Sequence, residues 1–153
     1  MATENTMILM TTKGRVVIEM RPDLAPGHVA RIKELVRQGF YDGIVFHRVI
    51  DGFMAQTGCP QGTGMGGSGK KLKAEFNSAP HERGTVSMAR AGNPDSGDSQ
   101  FFICFDDASF LNGQYTVWGQ VTEGMENVDK IKRGEPVINP DKIISAKMAA
   151  DAA

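Results

Sequence analysis

Apolar positions recur along this chain with two different periods. Residues 7–11 and 15–20 are short runs of apolar and β-branched side chains joined by Thr12-Lys13-Gly14, so the chain is expected to begin as an antiparallel hairpin. The period then lengthens: Val29, Ile32, Leu35 and Val36 share one helical face, Pro26 suits the first helical position and Gly39 the C-terminal stop. This predicts one amphipathic helix of about three turns. Phe40-Tyr41-Asp42-Gly43 turns the chain back, and Phe46-His47-Arg48-Val49-Ile50-Asp51-Gly52-Phe53-Met54-Ala55-Gln56 reads as strand, turn, strand about Asp51-Gly52. Strand patterns return at 85–89, at 100–105, where the run is fully apolar, and at 115–121. A second short helix is predicted at 125–132 with Gly134 as its stop. Pro136 and Pro140 bracket a loop, 142–148 closes as a last strand, and the Ala-rich end is expected to fray. Many short strands between glycine turns, with only two helices, predict a mainly β protein, either a closed antiparallel barrel or a sandwich. No repeat or linker divides the chain, so residues 1–153 read as one domain.

Composition narrows the functions. With 153 residues, 41% hydrophobic and 23% charged, the chain has enough apolar surface for a core without metal or disulfide support. Seventeen basic against eighteen acidic side chains leave a formal charge of −1, which argues against a nucleic-acid partner. The start lacks a basic region ahead of an apolar stretch, and no run approaches spanning length, so no membrane partner and a cytoplasmic location are expected. Cys59 and Cys104 have no metal-type spacing, and Cys104, inside the apolar strand, reads as an inert core thiol. His28, His47 and His81 are scattered, so no metal site is expected; alternation turns His47 away from Arg48 and gives it a structural role by default. No G-x-S-x-G elbow is present to support a nucleophilic hydrolase.

The glycine-rich loop 58–71 contains two nucleotide-binding patterns, and context rejects both. Gly62-Thr63-Gly64-Met65-Gly66-Gly67 satisfies G-x-G-x-x-G, but no βαβ unit surrounds it. Gly64 to Lys70 satisfies most of a phosphate loop, but Lys71 stands where a magnesium-binding hydroxyl is required, and no helix follows. No cofactor is therefore expected. The glycines read more plainly as a loop that runs close against another backbone.

The run from Phe46 to Gln56 concentrates chemistry. One permanent cation, two aromatic rings, a thioether and an amide fall within eleven residues, and the hairpin would raise Arg48 and Gln56 from neighbouring strands onto one face beside Phe53 or Met54. Donors over an apolar floor suit a ligand that is part ring and part amide, such as a proline-containing peptide. Taken alone, the run reads more readily as an ordinary hairpin whose arginine snorkels over its hydrophobic neighbours to meet Asp51.

With this run followed by Gly62-Thr63-Gly64, Ser87-Met88-Ala89 and Ser99-Gln100-Phe101-Phe102-Ile103, the sequence resembles the cyclophilins, the peptidyl-prolyl cis-trans isomerases, from about residue 7 to residue 148. The resemblance implies a closed eight-stranded antiparallel β-barrel capped by two α-helices, with a peptide groove on its outer surface. It implies Arg48 as the catalytic arginine with Phe53 and Gln56 beside it. It further implies a substrate surface made of His47, Met54, Gly62, Ala89, Arg90, Ala91, Gln100, Phe102, Phe110, Leu111 and Tyr115. Phe110, Tyr115 and Arg90 stand where well-known eukaryotic members often carry tryptophan, histidine and asparagine, a pattern more like bacterial members. The expected partners are proline-containing peptides and folded or unfolded protein clients, with weak binding of cyclosporin and a monomeric state. Two functions stay open at this level: an isomerase that assists folding, and a module or chaperone that holds proline-containing segments without turning them over.

Overall fold

The opening hairpin forms as expected, with β1 (Thr6–Thr11) and β2 (Gly14–Met20) paired antiparallel in the computed structural model, which describes residues 4–135 and 137–151. The other strands are β3 (Arg48–Ile50), β4 (Met54–Thr57), β5 (Thr85–Met88), β6 (Phe101–Cys104), β7 (Val117–Glu123) and β8 (Ile143–Met148). All pairings are antiparallel and run in the order β3-β4-β6-β5-β7-β2-β1-β8.

The sheet is an open half-barrel, which corrects the expectation of a closed one. The edge strands β3 and β8 share no ladder. The start of β8 is instead held by the segment just before β3: Gly43 N–H donates to Ile143 O at 2.7 Å, Ile143 N–H to Ile44 O at 2.7 Å, and Val45 bridges Lys142. Beyond that point β8 follows β1, and the three residues of β3 are too few to reach it. Val49 on β3 turns to Gly134 for its own outer pairing.

Helix α1 (Pro26–Arg37) starts at Pro26 and buries His28, Val29, Ile32, Leu35 and Val36. Its N-terminus has no capping side chain of its own; Glu75 supplies the anion, accepting from Gly27 N–H at 3.1 Å and His28 N–H at 2.8 Å. Gly39, with φ +74°, stops the helix as predicted. Helix α2 (Met125–Val128) is shorter than the predicted 125–132. Arg133 is the cause: its Nη1 donates to the carbonyls of Asp129 and Ile131, both at 2.6 Å, and draws the backbone away from a continued helix. A 3-10 turn forms at Ala149–Asp151, within the Ala-rich end expected to fray, while the rest of that end, residues 152–153, and Pro136 lie outside the described residues.

Alternation divides the strands of one half of the sheet between two clusters. Val49, Ala55, Val86, Met88, Phe101 and Ile103 point into the main core with Trp118, Phe46 and the buried face of α1. Their neighbours Met54, Phe102 and Cys104 point outward into a second, small cluster with Ala108, flanked by Ile50, Phe53, Ala89, Leu111 and Tyr115. The 101–105 run is therefore apolar on both faces because each face has something to cover it.

Gly58 joins β4 to the glycine loop at φ +98°, and a Cβ there would overlap the Ser99 carbonyl oxygen and lie 2.8 Å from Gln100 Cα. Both contacts are backbone, so no side-chain rotation relieves them. Gly58→Ala is expected to cost about 2 kcal/mol or more, left-handed strain plus overlap, measured as a lowered urea midpoint at unchanged slope.

Candidate active site

The outer cluster is the floor of a cavity. Arg48 and Gln56 are directly opposed across the β3–β4 ladder, Gln56 faces Phe102 on β6, and Met54 faces Cys104. The turn between β3 and β4 closes with Phe53 N–H on Ile50 O at 3.0 Å and places Gly52, φ +72°, where a type II turn requires positive φ. This carries Phe53 to the rim. The 3-10 turn Ser109–Leu111 and Tyr115 complete the wall. The result is a cavity of about 100 Å³ lined by Arg48, Phe53, Met54, Gln56, Ala89, Arg90, Phe102, Leu111 and Tyr115.

Ring contacts stiffen it. Tyr115 meets Phe102 edge-on, centroids 5.7 Å apart, and Arg90 Cζ sits 4.8 Å over the Tyr115 ring. Behind Phe102 the buried His81 ring stacks at 6.1 Å and is bonded on both nitrogens, to Ser87 Oγ at 2.9 Å and Asn112 Oδ1 at 3.1 Å. Burial lowers the His81 pKa, although Asn112 opposes the shift, so the ring is neutral at pH 7. Phe110 packs on Phe53 at 5.5 Å but stays 67% exposed, as a rim residue.

A second cavity of about 290 Å³ adjoins the first and shares Gln56, Ala89 and Arg90 with it. Two amides build the wall between them. Gln56 Nε2 donates to Gln100 Oε1 at 2.9 Å, and Gln100 Nε2 donates to the carbonyls of Gly64 and Gly66 at 2.9 and 2.8 Å. Ala91 and Gln100 line this second space with residues that sequence reasoning had not singled out, Lys71, Ser96 and Asp98 among them. Only the glycine run hinted at it. Of the expected site residues, His47, Gly62 and Phe110 line neither cavity. His47 is buried beneath the loop near Gly64, its pKa lowered by burial and by Arg48, and Gly62 packs against Val45.

Cys59 sits at the base of the same loop. Gly64 and Gly66 both donate N–H to its Sγ at 3.3 Å. Burial pushes the thiol up, yet the backbone N–H groups around it outweigh burial and bring it down to about 7 from an ordinary 9.0. The sign follows from linkage: between those values the unfolded chain carries a proton that the folded chain has lost, so stability rises from pH 7 to pH 9 and falls as pH drops through 7. Cys59→Ser is expected to flatten that slope in urea titrations at several pH values. Cys104, in contrast, is pushed up to about 12 by burial and is inert at neutral pH.

The family model described as Cyclophilin type peptidyl-prolyl cis-trans isomerase/CLD matches residues 6–148. The chain belongs to the cyclophilin-type peptidyl-prolyl cis-trans isomerases. It is 56% identical over 165 aligned positions to a probable peptidyl-prolyl cis-trans isomerase of Brucella suis biovar 1, covering 97% of this chain and 84% of the relative. It is 46% identical to peptidyl-prolyl cis-trans isomerase B of Bacillus subtilis, covering 83% and 90%. Among solved structures, the cyclophilin AquaCyp293 of Hirschia baltica superposes with a TM-score of 0.92 at 33% identity, over 99% of this chain and 76% of that one. A cyclophilin of Cryptosporidium parvum, crystallised in the presence of the dipeptide Ala-Pro, gives 0.87 at 28% identity, over 94% and 98%. As in those cyclophilins, the fold is mainly β, here with eight antiparallel strands and two α-helices.

Proposed function

We propose that this cyclophilin turns X-Pro peptide bonds between cis and trans with the proline ring seated in the smaller cavity and the flanking peptide laid across the larger one. The observation that carries the reading is Arg48, a permanent cation on the wall of a small apolar cavity floored by Met54 and Phe102. The bond to be turned has a barrier of roughly 18–20 kcal/mol because the amide is conjugated. No covalent bond has to break, so neither a nucleophile nor a proton carrier is required. As the amide twists, the prolyl nitrogen regains a lone pair, and a guanidinium N–H aimed at it makes a hydrogen bond available mainly in the twisted state. Phe53, Met54, Phe102, Leu111 and Tyr115 hold the ring and exclude water, which favours the less polar twisted amide over the planar one.

The rest of the peptide needs a fixed anchor. Gln56 and Gln100, locked to each other and to the glycine loop, supply it on one side. On the other side, Ala89 N–H is committed to Gln100 O, Ala91 N–H to Ser96 Oγ and the Ala91 carbonyl to Arg90 Nη1, so this edge meets a peptide through its remaining carbonyls. The Phe110 side chain has no N–H to donate, and weak cyclosporin binding is expected from it.

Exchange spectroscopy on a short X-Pro peptide tests the reading: wild-type protein should accelerate cis–trans exchange from its uncatalysed time of tens to hundreds of seconds. A protein that binds the peptide without accelerating exchange would be a holding module, and the isomerase reading would fall. The isomerase names of its relatives favour the enzyme.

A further inference from the structure

Arg48 is held from outside the cavity as well as from within. Its Nε donates to Glu135 Oε2 at 2.6 Å while Nη1 reaches Gln56 Oε1 at 3.4 Å. Glu135 is 87 residues away in sequence, so a local motif does not put it there. The backbone does: Val49 N–H donates to Gly134 O and Gly134 N–H to Val49 O, both at 2.8 Å. Because Arg48 precedes Val49 and Glu135 follows Gly134, this isolated bridge sets the two charged residues side by side.

We propose that Glu135 is the positioning residue of Arg48, fixing the Nε edge of the guanidinium so that its Nη groups stay turned toward the proline cavity. The inference rests on reading Arg48 as the donor to the twisting amide. An arginine tied at neither end samples many rotamers, and each excursion removes a donor that matters only in the transition state. A planar guanidinium bonded through Nε loses most of that freedom, since one charge-assisted bond fixes the plane of the remaining donors. Among the described residues no other cation is bonded to the Glu135 carboxylate, and Arg133 on the neighbouring stretch is engaged by Asp51. Both partners are half-exposed, 42% and 58% at the side chain, so the pair adds little to folding stability. Its effect belongs to the reaction.

The effect on rate has a sign that separates positioning from simple charge balance. Removing a carboxylate makes the local potential more positive, which by itself would strengthen donation to the prolyl nitrogen and raise the rate. Loss of positioning lowers it. The test is line-shape NMR on enzyme-saturating X-Pro peptide, which reads the on-enzyme exchange rate separately from the dissociation constant. Glu135→Gln is expected to slow on-enzyme exchange by about three- to tenfold, with the dissociation constant within about twofold and the melting temperature unchanged. Glu135→Asp, which keeps the charge on a shorter arm, should recover part of the loss, and on an Arg48→Ala background Glu135→Gln should change nothing. An unchanged or faster rate in Glu135→Gln, with Arg48→Ala still impaired, overturns the positioning role and leaves the function intact. A loss confined to peptide affinity overturns it too. If Arg48→Ala itself retains the wild-type rate, the assignment of Arg48 falls and Glu135 falls with it.

Discussion

Replacing Arg48 with alanine is expected to lower kcat/KM for a short X-Pro peptide by about 10²–10³-fold, the usual loss when one preorganised donor to a transition state is removed. The loss should fall on the turnover rate more than on binding, because the planar amide gains little from the guanidinium. Peptide affinity, followed by chemical-shift titration, should move far less than the rate. Folding should be almost untouched, since the Arg48 ion pair is exposed and such pairs contribute on the order of 1 kcal/mol or less. Arg48→Lys is expected to restore only a small part of the activity. A single ammonium on a flexible stem lacks the planar fork that meets Glu135, Gln56 and the substrate together. A variant without Arg48 that still turns the peptide over at the wild-type rate would move the search for the catalytic donor to Gln56, Arg90 and Tyr115, the other side chains with a donor that line the cavity.

The second large effect is on stability. Trp118 is fully buried in the main core and meets Phe101 edge-on at 5.3 Å. Trp118→Ala is expected to cost about 3–5 kcal/mol in chemical denaturation, from lost transfer energy and the cavity left behind. Trp118→Phe should cost clearly less, about 1–2 kcal/mol, because the indole Nε1 has no hydrogen-bond partner among the described residues and its removal takes away an unpaired buried donor. If both variants lost the same stability, indole shape and not ring volume would govern packing at this position.

How much of this was readable in the sequence depends on how far apart the interacting residues lie. The hairpin 46–56 was legible because alternation and the Asp51-Gly52 turn are local signals, and the opposed placement of Arg48 and Gln56 follows from them. Helix α1 was legible for the same reason, down to its proline start and glycine stop. The open edge between β3 and β8 was not, because it depends on which backbone groups near Gly43 and Lys142 meet. Nor was the early end of α2, where the long side chain of Arg133 captures backbone carbonyls and no period in the sequence records it. The glycine loop could be cleared of nucleotide binding from its flanks, whereas its actual duty, packing against Gln100 and around Cys59, required the fold. Glu135 left no trace, since its partner is 87 residues distant. Where the resemblance to cyclophilins placed residues, most gather at the two cavities; Phe110 stands at the rim, His47 lies beneath the glycine loop and Gly62 within it, against Val45.

The two-sided division of β4 and β6 has a consequence for how such a protein changes over time or in the laboratory. Ala55, Phe101 and Ile103 answer to the core, while Met54, Gln56 and Phe102, their immediate neighbours, answer to the ligand. A library that varies only the outward positions, together with the rim at Phe110 and Tyr115, leaves the main core's side chains untouched. Selectivity for what surrounds the proline and tolerance to heat thus become two separately adjustable properties, written on alternate letters of the same short strands.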